Sequence, residues 1–456
     1  MRNTRMIERS TQTTGTLTGK AALTGGLVVL ITVAVLAAGP QRPQQNDSVQ
    51  VALDDATDHR HLGPGVIVAW NELAHDIAVA EDQFLTFKGQ RALAIMHLAV
   101  HDALNSIVPV FARYAYDGPQ LIADPIAAAA QAAYEVLVSQ YPDQQPRLGS
   151  ELARWLMLGP QGELQRHGVD LGRAAAAAIL TRRANDGWDV PGSYEFVNEP
   201  GEYQTTPPWN GFVVQPGFRF ATPFVLRVPS ELRPAPPPSL GSARYVRAFE
   251  EVRHAGAIDS LVRTEDQTAS AVWWMEFAEG SVNRVARQLV TERDAHLWPT
   301  ARLFAYVGMA LFDSYVAVWD AKYEYNHWRP YTAIREADVD NNSRTEADPN
   351  WESLRTTPPF PEYVSAHATA CAASFGVLER LIGHQVPFTM ATTTAPPGMP
   401  TRTFASFRAA AAECADSRVR LGWHFRYSTE AGLELGEGIA RLVVRRSLRD
   451  VSVEGR

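Results

Sequence analysis

The sequence predicts an all-α fold, a helical bundle interrupted by long Pro-rich loops. Three observations carry this. Apolar residues recur at three- and four-residue spacing along about ten stretches, which is the period of one buried helix face. Sustained alternation of apolar and polar residues, the mark of a half-buried strand, is nearly absent. Prolines gather in one aperiodic stretch, residues 187–241, rather than inside the periodic ones. The 456 residues are 46% hydrophobic and 20% charged, an ordinary globular composition that excludes disorder, collagen and coiled coil as the main state.

At the N-terminus, Arg2, Arg5, Arg9 and Lys20 precede an uncharged run from Ala21 to Gly39. A basic flank before an apolar run reads as an export signal or a single-helix membrane anchor. Its 19 residues are long for a signal core and just enough to span a bilayer, while Pro40 argues against cleavage at Gly39. Either way the body is expected outside the cytoplasm: periplasmic, extracellular, or anchored to the outer face of the cytoplasmic membrane. No other run reads as long and apolar enough to span. Residues 40–62 form a polar tether, and 63–450 are expected to be one helical domain.

Within that domain, Leu93, Met96, Val100, Ala103, Leu104 and Ile107 mark one face of a helix over 91–107. The Ala-rich stretches 125–141 and 172–185 predict helices that pack closely. Residues 187–241 hold eleven prolines among aromatics such as Trp209, Phe212, Phe218 and Phe224. A free linker would be polar, so this excursion is expected to pack on the body. Thr264-Glu265-Asp266-Gln267 fits a capping box. Pro299 suits the first turn of a helix over 300–323, and helices over 403–415 and 429–446 complete the set.

Charge sets a limit on partners. There are 42 Lys+Arg against 50 Asp+Glu, a net of −8, so no nucleic-acid footprint is present and any anion site must be local. Cys371 and Cys414 make neither a disulfide framework nor, alone, a Cys-rich zinc site.

Three segments in the region 317–446 carry chemistry. In Lys322-Tyr323-Glu324-Tyr325-Asn326-His327-Trp328-Arg329-Pro330, Pro330 disfavours helix at Arg329, so that cation should sit on an exit turn. Two cations at a helix C-terminus also simply offset the macrodipole. In Pro358-Pro359-Phe360-Pro361-Glu362-Tyr363-Val364-Ser365-Ala366-His367, prolines block helix and Ser365 is an N-cap candidate. Free amides in the first turn, beside the hydroxyl and imidazole, would cradle an anion. A plain Ser-capped helix start explains the same pattern. In Ser417-Arg418-Val419-Arg420-Leu421-Gly422-Trp423-His424, Arg418 precedes His424 by six residues. Together Lys322, Arg329, Arg418, Ser365, His367 and His424 supply the donors that a tetrahedral oxyanion such as phosphate or vanadate needs.

Lys-x6-Arg-Pro, Ser-x-His at a helix start and Ser-Arg-x5-His, in this order, resemble the three-part signature of the vanadium-dependent haloperoxidase and type 2 phosphatidic acid phosphatase superfamily. The likeness reaches upstream, through Arg91–His97, His101–Asn105 and the stretch from Pro200 to Phe224, toward its exported bacterial haloperoxidase-like branch. The resemblance implies that superfamily's helical bundle, with vanadate as cofactor. It would make His424 the metal ligand, place Lys322, Arg329, Arg418, Ser365 and the Ala366 amide on the vanadate oxygens, and make His367 the acid/base. Lys322, His367 and His424 would be catalytic, with Trp319 and Phe360 at the halide-site positions, although both also read as core aromatics. The implied reaction oxidises halide with hydrogen peroxide at a metal of fixed oxidation state and halogenates a small organic acceptor.

The same cage in an acid phosphatase would use His424 as nucleophile on a phosphate ester, and a third reading is a surface protein that merely holds an anion. Two departures bear on the choice. Ala366 stands where the family usually has Gly, and Ser428 where the last motif usually carries an acid that supports the His. Ser428 tilts the reading away from an efficient phosphatase, with Glu430 a substitute that the sequence cannot place. His97 and His101, four apart, have the spacing of a zinc pair but no third ligand, so core histidines are expected. His327 reads as lining or support for the site. Both cysteines are expected on helices beneath the site, as buried thiols rather than a disulfide, though an exported chain permits the bond. Whether the chain forms a homodimer is not legible.

Overall fold

The computed structural model describes residues 61–451, which fall in one contact-linked unit. The N-terminal apolar run and most of the tether lie outside the described residues. The chain runs through helices α1 (Gly65–Asp82), α2 (Lys88–Asn105), α3 (Pro125–Gln140), α4 (Gln145–Leu158) and α5 (Glu163–Arg182). After the excursion come α6 (Ala243–Ala255), α7 (Glu265–Trp273), α8 (Ala278–Glu292), α9 (Leu297–Tyr325) and the short α10 (Pro330–Arg335). Then follow α11 (Ala366–Ile382), strands β1 (Phe388–Ala391) and β2 (Thr401–Phe404), α12 (Phe407–Arg420) and α13 (Arg426–Arg446). The all-α expectation holds, apart from the one antiparallel hairpin, in which Phe388 pairs with Phe404.

Local chemistry explains the boundaries. The Thr264 capping box forms as expected, with Thr264 and Gln267 satisfying each other's amides. Asp124 caps α3 by accepting from the Ala127 amide, with Pro125 in the first turn. The helix expected over 403–415 is corrected: residues 401–404 are strand, and Ser406 caps α12 from Phe407. The helix expected from Gly172 begins at Glu163.

Helix α9 is the central element, packed against α2, α11 and α13. Its 29 residues are long and apolar enough to cross a membrane, which corrects the expectation that no such run lies beyond the N-terminus. Burial within the protein accounts for its composition, since 94% of its most apolar window is covered. Against α11 lies α13, close enough that a Cβ on Gly436 would stand 2.4 Å from the Thr369 carbonyl oxygen. Glycine there lets the backbones meet.

The excursion packs on the body, as its aromatics suggest. Asp313 of α9 accepts hydrogen bonds from the Phe224, Val225 and Leu226 amides at 2.5, 2.8 and 2.9 Å. Nearer the site, Tyr323 donates its hydroxyl proton to the Val214 carbonyl (2.8 Å), and the Val214 amide donates to the Pro359 carbonyl (3.0 Å).

Candidate oxyanion site

Every chemistry-bearing side chain sits at the end of a helix. Lys322 lies in the last turn of α9, which ends at Tyr325 with Asn326 (φ +45°) as its cap, so Arg329 is not on an exit turn as expected but is the N-cap of α10, which Pro330 opens. Ser365 caps α11, and its oxygen is 3.5 Å from the Ala368 amide nitrogen. That leaves Ala366 and His367 in the first turn, where amides have no intrahelical acceptor. Arg418 lies in the last turn of α12, and Gly422 turns the chain toward His424 just before α13. Gly422 has φ +79°, and a Cβ there would meet the Gly256 carbonyl oxygen at 2.7 Å.

The loop between Phe360 and Glu362 binds these ends together through its carbonyl groups. Lys322 Nζ donates to the Pro361 and Glu362 carbonyls at 2.7 and 2.9 Å. Arg329 Nε donates to the Phe360 carbonyl at 2.9 Å, and Nη1 to the Trp423 carbonyl at 2.9 Å. The same Nη1 is 3.2 Å from His424 Nε2. Arg418 is held by the Trp274 carbonyl, at 2.6 Å from Nη2, and by Ser417 Oγ, at 2.9 Å from Nε. The Phe360 ring lies under Lys322 Nζ at 4.9 Å and under the Arg329 guanidinium at 4.8 Å, and its centroid is 5.1 Å from that of Trp319.

Burial makes this a high-energy arrangement. Lys322 and Arg329 are 0% exposed and Arg418 1%. Desolvation, reinforced by Arg329, holds Lys322 well below its ordinary value. Burial also lowers Arg329 to about 10 and Arg418 to about 9. His424 is pushed well down by burial, then by Arg329, Lys322, Arg418 and His367, so its imidazole is neutral at pH 7. His367 is lowered by burial and by Arg418. Arg329 Nη2 and His367 Nε2 are buried without a hydrogen-bond partner. Three buried cations, one of them with an unpaired donor at Arg329 Nη2, around a neutral imidazole fit a tetrahedral oxyanion.

The structure therefore brings together Lys322, Arg329, Ser365, Ala366, His367, Arg418 and His424, with Trp319 and Phe360 along one side. It also supplies a residue that the sequence reading passed over. Glu362 is fully buried, and its Oε1 accepts from the Phe425 amide at 3.0 Å and lies 2.8 Å from His424 Nδ1. Burial raises its pKa to about 7, against the pull of Arg329 and Lys322. A lone acid among Pro361, Tyr363 and Val364, three residues before the capping serine, was the available signal.

Of the remaining expectations, those for Glu430 and the cysteines are corrected, and those for His327, His97 and His101 hold. Glu430 does not support His424 but pairs with Arg244 at the surface, 3.0 Å away. His327 stands behind the site: its Nε2 is 2.7 Å from the Tyr427 hydroxyl, and its carbonyl accepts from the Glu362 amide. The cysteines are not thiols, because Cys371 of α11 and Cys414 of α12 form a disulfide. His97 and His101 are core histidines, next to Asn71 Nδ2 (2.9 Å) and the Ala112 carbonyl (3.1 Å) respectively.

Comparison with known proteins gives likenesses in sequence and in fold. Residues 302–452, which hold every residue of the site, match the family described as the VCPO second helical-bundle domain. The chain is 28% identical over 377 residues to the vanadium chloroperoxidase of Curvularia inaequalis, covering 65% of this chain and 61% of that protein. Among solved structures, a bacterial vanadium-dependent iodoperoxidase matches with TM-score 0.72 and 23% identity, over 86% of this chain and 98% of that one. A holo-type bacterial vanadium-dependent chloroperoxidase matches with TM-score 0.60 and 20% identity, over 77% and 90%.

Proposed function

From a chain that is vanadium haloperoxidase-like in sequence and fold, we propose an exported enzyme that oxidises halide with hydrogen peroxide and halogenates a small organic acceptor. The observation that carries this reading is the trio of buried cations around His424, with Arg329 Nη2 and His367 Nε2 left unpaired. Lys322, Arg329, Arg418, Ser365 and the Ala366 amide would hold vanadate, with His424 Nε2 as metal ligand. Bound there, vanadate supplies Lewis-acid activation of hydrogen peroxide without changing oxidation state.

The chain's own residues supply the rest. The three cations offset the oxyanion's charge in a desolvated site, where electrostatic stabilisation is strong. The His367 imidazole is neutral near pH 7 and its Nε2 is unpaired, so it can accept a proton at Nε2 from incoming hydrogen peroxide and release it again. Trp319 and Phe360 offer a halide an apolar wall that excludes water. The basic N-terminus and the apolar run after it support export.

Acid phosphatase is the second reading, favoured by one observation: a carboxylate does stand beside His424, supplied by Glu362 rather than residue 428. A nucleophilic His needs such a partner.

The test is bromination of a phenol-type dye by purified protein with peroxide, with and without added vanadate, alongside phosphate-ester hydrolysis. Bromination that requires vanadate is the expected result. Vanadate-inhibited hydrolysis without bromination would move the assignment to phosphatase. Activity of either kind unchanged in His424→Ala would remove both.

A further inference from the structure

We propose that Glu362 is the positioning residue for His424: its carboxylate holds the Nδ1 proton, so that the Nε2 lone pair faces the oxyanion site. The inference rests on the oxyanion-site reading and asks how the imidazole is set within it.

The hydrogen-bonding chemistry points one way. Arg329 Nη1, 3.2 Å from His424 Nε2, belongs to a guanidinium, which has donors and no acceptor. Nε2 must therefore be the unprotonated nitrogen. A neutral imidazole then carries its single proton on Nδ1, and Glu362 Oε1 is 2.8 Å from that atom. The Phe425 amide, also purely a donor, points at the same oxygen from 3.0 Å, as an accepting carboxylate oxygen requires. Ser428, four residues after His424, cannot replace it. Its hydroxyl is 3.5 Å from Nδ1, at the limit of a hydrogen bond.

Glu362 also sits where a positioning group acts on several walls at once. Its carbonyl accepts from Lys322 Nζ at 2.9 Å, and its amide donates to the His327 carbonyl at 2.8 Å. One residue thus ties the end of α9, the loop before α11 and the turn before α13. The acid that the sequence pattern sought after the histidine arrives from a different segment, on the same ring nitrogen.

Groups that orient a ligating histidine cost about 10–100-fold in affinity when removed. The test uses full-length wild-type protein, Glu362→Ala and Glu362→Gln. Binding of vanadate alone and of inorganic phosphate is measured by calorimetry, and 15N spectra of histidine-labelled protein report the His424 tautomer without any anion. Glu362→Ala should bind both anions about 10–100-fold more weakly and lose the Nδ1–H tautomer. Glu362→Gln keeps the accepting oxygen without the charge, so it should stay within a few-fold of wild type and keep the tautomer.

Equal affinities in all three proteins, or tighter anion binding by both variants, would overturn the proposal, the latter because it would make Glu362 a mere counter-charge. An Nε2–H tautomer in the wild type would also overturn it. If Glu362→Ala does not fold, Glu362→Gln and the wild-type spectrum still decide. Wild-type protein that binds neither anion defeats the oxyanion-site reading itself, and the tautomer is then read on its own.

Discussion

The Cys371–Cys414 disulfide joins α11, which carries His367, to α12, which carries Arg418, and spans 43 residues of chain. Replacing both cysteines with alanine frees that loop in the unfolded state. The loop-closure relation gives about 4 kcal/mol for a loop of this length, and the cavity left by two buried sulfurs adds to it. Urea unfolding of the native protein and the double variant, under oxidising conditions, measures the difference directly. A loss of about 4 kcal/mol or more is expected. A loss below about 1 kcal/mol would refute the reasoning, because it would mean that the cross-link barely restricts the unfolded chain. Both cysteines are fully buried, so reductant without denaturant should leave stability unchanged over minutes.

Two further perturbations test other parts of the structure. Arg329→Lys replaces a fork serving the Phe360 and Trp423 carbonyls with a single ammonium. One carbonyl is left unpaired at a cost of about 1–3 kcal/mol. Phosphate affinity should fall about tenfold or more by calorimetry, and an unchanged affinity in folded protein would take Arg329 out of the site. The second concerns acid. Burial depresses His97 to about 3, His101 to about 4 and His327 to about 3. Their stabilising contribution is whole above the unfolded value near 6.5 and is lost as pH falls toward these folded values. Between pH 6 and 4 each should remove up to about 1.4 kcal/mol per pH unit, about 4 per pH unit for the three together. His97→Gln should reduce the slope of unfolding free energy against pH by about 1.4 kcal/mol per pH unit, and an unchanged slope would contradict the burial argument.

What the sequence made legible follows from which interactions are local. Helix α9 ends at Tyr325, ahead of the Pro330 that opens α10, but the start of α11 was readable because Ser365 acts within a few residues of the side chains it positions. The capping box at Thr264 was readable for the same reason. Glu362 was not, because its partner lies 62 residues away and only the folded chain joins them. The hairpin was missed because strands of four residues are too short to show a period, and Thr401-Arg402-Thr403-Phe404 runs almost directly into α12. The disulfide was misjudged because buried cysteines on two helices are compatible with either redox state until their separation is known. The membrane-like composition of α9 shows the converse: a hydropathy pattern alone does not distinguish lipid from protein as the covering medium.

The anchoring of the excursion at Asp313 separates two kinds of evolutionary freedom. Three amides fix residues 224–226 to the central helix, and Val214 fixes the other limb beside Trp319 and Phe360. The cations and imidazoles, by contrast, hang on helix termini that the excursion does not build. Sequence drift between those two anchor points can therefore remodel what reaches the aromatic wall while the charge trap beneath stays intact. Diversification of preference within such a scaffold should be sought in residues 215–223, and its conserved reactivity in the last third of the chain.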